Sequence, residues 1–297
     1  LGILVLKNLK KSFKKSMLFG LKKEKKDVLK GISFQVFEEI FGFIGPNGAG
    51  KTTTIKIIMD FIRPDSGEVL IFGRPNSDIS IRRNLGFLPE KPYIYGSITG
   101  KEYLDFCADV YGIPYRERKK LFTRLLELVG LLGIEDQSIS SYSKGMVQRL
   151  LFASILLNDP DLLILDEPMS GLDPVGRNII ASVMKSLKEK GKTVFYSSHI
   201  IQDVERLSDR VAVIVNGEIK LLDSIANIVQ KFLRGYVVTA RKVGSNNLKS
   251  FKVKINELWS FLEKLRSESY EIISVEPDRL SLEEILVSYI EGSRRVN

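Results

Sequence analysis

The sequence predicts an α/β fold: a doubly wound parallel core sheet interrupted by a helical insert, followed by a small C-terminal α+β domain. Three observations carry this prediction. "EIFGFIGPNGAGKTTTIKII" runs from an apolar strand through a glycine loop straight into a helix. "LLILD", "TVFYSS" and "RVAVIV" are short, almost wholly apolar runs separated by helical stretches, the pattern of parallel strands covered on both faces. Between residues about 92 and 158 strand signals give way to helical ones.

The elements follow in order. "ILVLKNL" and "VLKGISFQV" alternate and branch like strands. In "KTTTIKIIMDFI" the residues Ile55, Ile58, Met59 and Ile62 recur at helical spacing. "RPDSGEVLIFG" reads as a turn and a strand. Within the insert, Thr99 and Glu102 form a capping box for "EYLDFCADVYG", and "LFTRLLELVG" is a second amphipathic helix. After the apolar strand "LLILD" come a lysine-bearing helix, "IIASVMKSLKEKG", the two further strands and the turn "NGE". The remainder, "YVVTARKV", "KSFKVKINELWSFLEKL", "YEIISVEPDRL" and "SLEEILVSYI", suffices for a separate small domain. The expected division is 1–230 and 231–297, with the helical insert at about 92–158. In the last segment Ser281 and Glu284 make a capping box, and Leu282, Ile285, Leu286 and Tyr289 form one apolar stripe.

The 297 residues carry a formal net charge of +9 and a single cysteine, Cys107. One cysteine excludes an intrachain disulfide and suits a reducing compartment. No run approaches the roughly 20 apolar residues of a membrane span, and the first residues lack the order of a secretory signal, so a membrane role is expected to go through a partner. The positive excess is concentrated at Lys10, Lys11, Lys14, Lys15, Lys22, Lys23, Lys25, Lys26 and Lys30, against Glu24 and Asp27. A solvated, mobile loop is the expected form; lipid head groups or an acidic partner face are its alternative targets.

"GPNGAGKT" satisfies G-x-x-x-x-G-K-[ST] after a strand and before a helix. In the loop of Gly45, Pro46, Asn47, Gly48, Ala49 and Gly50 the glycines let the backbone turn its N–H groups inward without Cβ clashes, an anion nest at a helix start. Lys51 is placed to bridge β- and γ-phosphates, Thr52 to hold Mg²⁺ through its hydroxyl, and Thr53 to meet the α-phosphate. "LLILDE" supplies the second half: Asp166, at the C-terminal end of a buried strand, can hold Mg²⁺ through water, and Glu167 can orient or deprotonate an attacking water. His199, the only histidine, would taken alone read as an ordinary surface or satisfied core residue; it follows "TVFYSS", which places it at the same sheet edge if the sheet is as predicted.

"GPNGAGKTT", "YSKGMVQR", "LLILDEPMSGLDP" and "SSHIIQDVERLSDRVAVIVNGEI" stand in the order and spacing of the ATP-binding cassette (ABC) family, which the chain resembles from about residue 3 to 225. The resemblance implies a P-loop NTPase with a parallel core sheet, an antiparallel β subdomain and a helical insert. It implies ATP hydrolysis with Mg²⁺, catalysed by Glu167 with His199 sensing the γ-phosphate. The family signature, usually LSGGQ, here reads Tyr142, Ser143, Lys144, Gly145, Met146. In such proteins this helix start faces the nucleotide of a second copy, making Ser143 and Gly145 nucleotide contacts across a homodimer. Local chemistry agrees, since a serine cap and a glycine leave amides open to an anion, although an ordinary capped helix has the same geometry. "SGLD", Ser170 to Asp173, resembles the loop through which the two sites sense each other.

The resemblance also implies a base-stacking aromatic, for which Phe13 in "KSF" is the candidate, with a buried core role as its alternative. Where the family usually has a glutamine between metal and membrane partner, "LGFLPEKP" has Glu90, an anion suited to Mg²⁺ but unable to donate an amide hydrogen bond. Within the family the chain looks most like ATPase subunits of antibiotic and sodium exporters. The implied partners are a second copy of the chain and a separate integral membrane permease, at the cytoplasmic face of the membrane. No nucleic acid is expected; a soluble cassette ATPase acting on nucleic acid or the ribosome is the competing reading.

Overall fold

The computed structural model describes residues 2–16, 23–91 and 93–294. The chain divides into two compact units, Leu1–Leu222 and Asp223–Asn297. The first unit begins with two long strands, β1 (Leu4–Ser16) and β2 (Lys23–Val36), then β3 (Ile40–Ile44) and α1 (Lys51–Ile58). There follow β4 (Ser66–Ile71), β5 (Arg74–Pro75) and β6 (Leu85–Leu88). The helical insert comprises α2 (Gly100–Tyr111), α3 (Tyr115–Leu128) and α4 (Lys144–Ile155). The chain then alternates through β7 (Leu162–Asp166), α5 (Pro174–Glu189), β8 (Thr193–Ser198), α6 (Ile201–Leu207) and β9 (Arg210–Val215), returning in β10 (Glu218–Ser224).

A six-stranded sheet ordered β10-β9-β3-β8-β7-β6 forms the centre of this unit, with its inner strands parallel. Every residue of β3, β7 and β8 is buried, which is why they read as unbroken apolar runs rather than as alternating ones. A four-stranded sheet, β2-β1-β4-β5, is antiparallel. Phe34 of β2 joins the two sheets: its ring centroid lies 5.4 Å from that of Phe41 on β3 and 6.1 Å from that of Phe195 on β8, both nearly parallel to it.

A two-residue turn adds a second joint. Asn216 and Gly217 both have positive φ, as the tight turn between β9 and β10 requires. The Gly217 N–H donates to the Ala49 carbonyl at 3.1 Å, and its own carbonyl accepts from the Lys30 N–H at 2.9 Å. A Cβ at Gly217 would meet the Val28 carbonyl oxygen at 2.4 Å, so no other residue fits without backbone movement.

The expectation of a mobile lysine loop is corrected. The β1–β2 ladder continues through the lysines to Ser16 paired with Lys23, pairing Lys10 with Lys30 and Lys14 with Lys25. Backbone hydrogen bonds build this ribbon while Lys10, Lys14, Lys25, Lys26 and Lys30 stand exposed on it, so the composition reported exposure and not absence of a strand. Lys22 lies outside the described residues. β6 is a second difference, an edge strand where the sequence suggested none. It is four residues long and contains Gly86, too short to show a period.

The caps expected in the insert and the tail are present. Thr99 Oγ1 accepts from the Glu102 N–H at 3.1 Å, and a Glu102 carboxylate oxygen accepts from the Thr99 N–H at 2.7 Å. Such a reciprocal cap is worth on the order of 1 kcal/mol.

The second unit contains α7 (Ile225–Lys231), β11 (Leu233–Lys242), β12 (Leu248–Val253), α8 (Leu258–Ser267), β13 (Tyr270–Arg279) and α9 (Leu282–Arg294). Its antiparallel sheet, ordered β12-β11-β13, has a small core of Val238, Ala240, Val253 and Leu265. Ser281 and Glu284 close the expected box at the start of α9, and Leu282, Ile285 and Leu286 are buried.

Candidate functional site

The sheet order sets the site. β8 lies between β3 and β7, so the C-terminal ends of these three strands deliver the glycine loop, His199 and Asp166 to one edge. Register brings Ser198 opposite Ile44 and Ser197 opposite Asp166. Open α/β sheets bind ligands at such an edge.

A cleft of about 520 Å³ opens there, lined by the glycine loop and the start of α1, with Glu90, Glu167 and His199 around one end and Phe13, Lys26 and Val28 also on its wall. Gly45 is wedged: a Cβ would meet the Ile214 carbonyl oxygen at 2.2 Å. Gly50, with φ at +115°, turns the chain into α1, which carries no side-chain cap. The first amides of that helix therefore lack a side-chain acceptor and suit an anionic one.

Lys51 is 7% exposed, its Nζ donating to the Gly45 carbonyl at 2.7 Å and lying 3.8 Å from a Glu167 carboxylate oxygen. Burial pushes its pKa below the usual lysine value, against the opposing pull of Glu167, Asp166 and Glu90. Asp166 is equally buried; burial raises its carboxyl above the ordinary range, opposed by hydrogen bonds from Ser197 and Thr52. Ser197 Oγ donates to Asp166 at 2.6 Å and accepts from the Glu167 N–H at 3.0 Å. Glu167 has φ at +54°, a conformation costing on the order of 1 kcal/mol or more for a residue with a side chain. Its carboxylate lies 2.7 Å from His199 Nδ1 and accepts from the His199 N–H at 3.3 Å. A strained backbone, a serine and a histidine thus fix one carboxylate beside a buried ammonium.

Of the residues singled out in the sequence, Phe13, Pro46, Asn47, Gly48, Gly50, Lys51, Thr52, Thr53, Glu90, Glu167 and His199 line this cleft. Asp166 and Ala49 are buried, and Gly45 packs against the Ile214 backbone. Ser143 and Gly145 stand elsewhere. Ser143 caps α4, accepting from the Met146 N–H at 3.2 Å, and the start of α4 packs on the 170–173 loop, with the Lys144 side chain against Gly171. Sequence reasoning missed Ser197 as the link between Asp166 and Glu167; its signal was the pair of serines closing "TVFYSS" just before His199. It also missed Lys26 and Val28 as wall residues, since only cross-strand pairing with Phe13 reveals Lys26.

Comparison with known proteins agrees with this geometry. The family model described as ABC transporter matches residues 29–170. An uncharacterized ABC transporter ATP-binding protein of Nostoc sp. is 38% identical over 89% of this chain and 83% of its own length. The chain belongs to the ABC transporter family. The ABC relative named as the linearmycin resistance ATP-binding protein of Bacillus subtilis is 35% identical over 79% of this chain and 76% of its own length. A solved ATP-binding cassette, a dimer in a post-hydrolysis state bound to ADP and Pi, superposes with a TM-score of 0.67 at 25% identity, covering 75% of this chain and 98% of that one. The protein is an ATP-binding ABC ATPase subunit with the P-loop α/β fold. Among the described residues no helix is long and apolar enough to cross a membrane.

Proposed function

We propose that this ABC ATPase powers an exporter, closing as an ATP-bound homodimer and reopening on hydrolysis to drive a separate membrane permease from its cytoplasmic face. The dimeric cassette bound to ADP and Pi supports the assembly. A relative from Mycobacterium tuberculosis named as a fluoroquinolones export ATP-binding protein, 37% identical over 71% of this chain and 69% of its own length, supports export. In this reading Lys51 and the loop amides hold the triphosphate, Thr53 the α-phosphate, and Phe13 the base. Ser143 and Gly145 meet the nucleotide of the partner copy, which accounts for their distance from their own cleft. Loss of the γ-phosphate removes contacts to these residues and to His199, so that nucleotide state sets dimer closure.

The donor set at the triphosphate end fits Mg²⁺: the Thr52 hydroxyl and the Asp166 carboxylate, with Glu90 a third hard oxygen ligand on the wall. Magnesium, when bound, neutralises phosphate charge. Among the described residues no group of three or more His, Cys, Asp or Glu is placed to hold a metal ion.

The observation that carries the catalytic part is Glu167, fixed 2.7 Å from His199 Nδ1 and 3.8 Å from Lys51 Nζ. Such a carboxylate can orient and deprotonate water beside a γ-phosphate. Glu167→Gln is expected to slow ATP hydrolysis by roughly 100-fold or more, in keeping with loss of a general base, and to accumulate an ATP-bound dimer on size exclusion. Hydrolysis at the parental rate would rule Glu167 out as the base, and an ATP-saturated variant that stays monomeric would rule out the dimer.

A further inference from the structure

We propose that Asp65 is a positioning residue for the base end of the cleft, holding β1 at the bulge that aims Phe13. The proposal rests on Phe13 as the platform for the nucleotide base.

The ladder between β1 and β4 ends at Lys10 paired with Ser66, and the β1–β2 register shifts between Lys11 and Ser12. Phe13 therefore follows an irregular step, and among the described residues the ladder of β1 continues past Lys10 on its β2 side. Asp65, the residue before β4, supplies what the ladder no longer does. Its N–H donates to the Lys10 carbonyl at 2.8 Å. One carboxylate oxygen accepts from both the Ser12 N–H, at 2.7 Å, and Ser12 Oγ, at 2.6 Å; the other accepts from Lys11 Nζ at 3.1 Å. Three consecutive residues of β1 are thus held by one aspartate.

The consequence reaches Phe13 directly. Lys11 Nζ, held by Asp65, lies over the Phe13 ring 5.5 Å from its centroid, and the ring, 43% exposed, lines the cleft. A cation over the ring leaves the opposite face for a flat ligand. Asp65 also follows α1 by a short connection, and α1 begins at Lys51. The residue that aligns the base platform is thereby tied to the helix that starts the phosphate site. An exposed Lys–Asp ion pair alone would contribute little; the bonds to the Ser12 backbone and hydroxyl are what fix the strand.

The test measures binding of a fluorescent ATP analogue and, by competition, of inorganic tripolyphosphate to the full chain, in Asp65→Ala, Phe13→Ala and the double variant. Asp65→Ala is expected to weaken nucleotide binding roughly 10-fold, within the range for loss of a base–aromatic stack, to leave tripolyphosphate binding unchanged, and to add nothing in the Phe13→Ala background. The proposal fails if Asp65→Ala leaves nucleotide affinity intact while Phe13→Ala weakens it, if the two effects multiply, or if tripolyphosphate binding falls equally. If Phe13→Ala itself has no effect, the base-platform reading falls first and this proposal with it. Should Asp65→Ala not fold, Asp65→Asn, which keeps one oxygen for the Ser12 N–H, is read by the same criteria.

Discussion

The two ends of the cleft are built differently. At the phosphate end, Lys51, Asp166 and Glu167 are almost fully withdrawn from water, and each is fixed by neighbours on or just past the ends of buried parallel strands. At the base end, Phe13 and Lys26 stand exposed on an antiparallel ribbon whose register slips at several points. Buried charges hold their geometry because an unpaired one costs several kcal/mol; exposed side chains on a twisted ribbon keep theirs only where something ties the strand down. In the proposed reading the buried end is thus organised for chemistry, and the exposed end for adjustable affinity.

That contrast is sharpest at Lys51. Lys51→Ala deletes the cation and leaves Glu167 and Asp166 facing each other across a buried site, and is expected to lower ATP affinity by two orders of magnitude or so, the scale of a lost buried charge partner. Calorimetric titration measures it; a loss no greater than that of a base-end variant would erase the distinction. Next in size is Ser197→Ala, which removes the bridge between Asp166 and the Glu167 N–H. Its effect should fall on kcat, by roughly 10-fold, with KM little changed, because a displaced base costs rate rather than binding. Steady-state ATPase kinetics decide it, and a change confined to KM would place Ser197 outside the catalytic geometry. The smallest effect is expected at the exposed end: Lys26→Ala should raise KM about two- to three-fold at low salt, and less at high salt, since an exposed charge is screened. A salt-independent change would point to a contact buried by the nucleotide.

Much of the phosphate end was legible because its constraints are local. A glycine loop between strand and helix, and a carboxylate pair ending the apolar run "LLILD", announce themselves over a few residues. What remained hidden depends on distant pairing. Ser197 matters because β8 lies beside β7, Lys26 because β2 returns opposite Phe13, and Asp65 because a turn after α1 meets β1. The lysine ribbon was masked by its own charge: alternation of polar with polar residues carries no period-two signal, though the backbone pairs as any strand does. β6 was lost to brevity.

The turn at Asn216 and Gly217 gives these differences a shared pivot. One peptide carbonyl and one amide of Gly217 reach, respectively, the ribbon that carries Lys26 and the loop that precedes Lys51. The loop and the ribbon are thus joined through one residue whose position tolerates no side chain. A side chain at Gly217 would press on Val28 of the ribbon and strain both of these bonds at once.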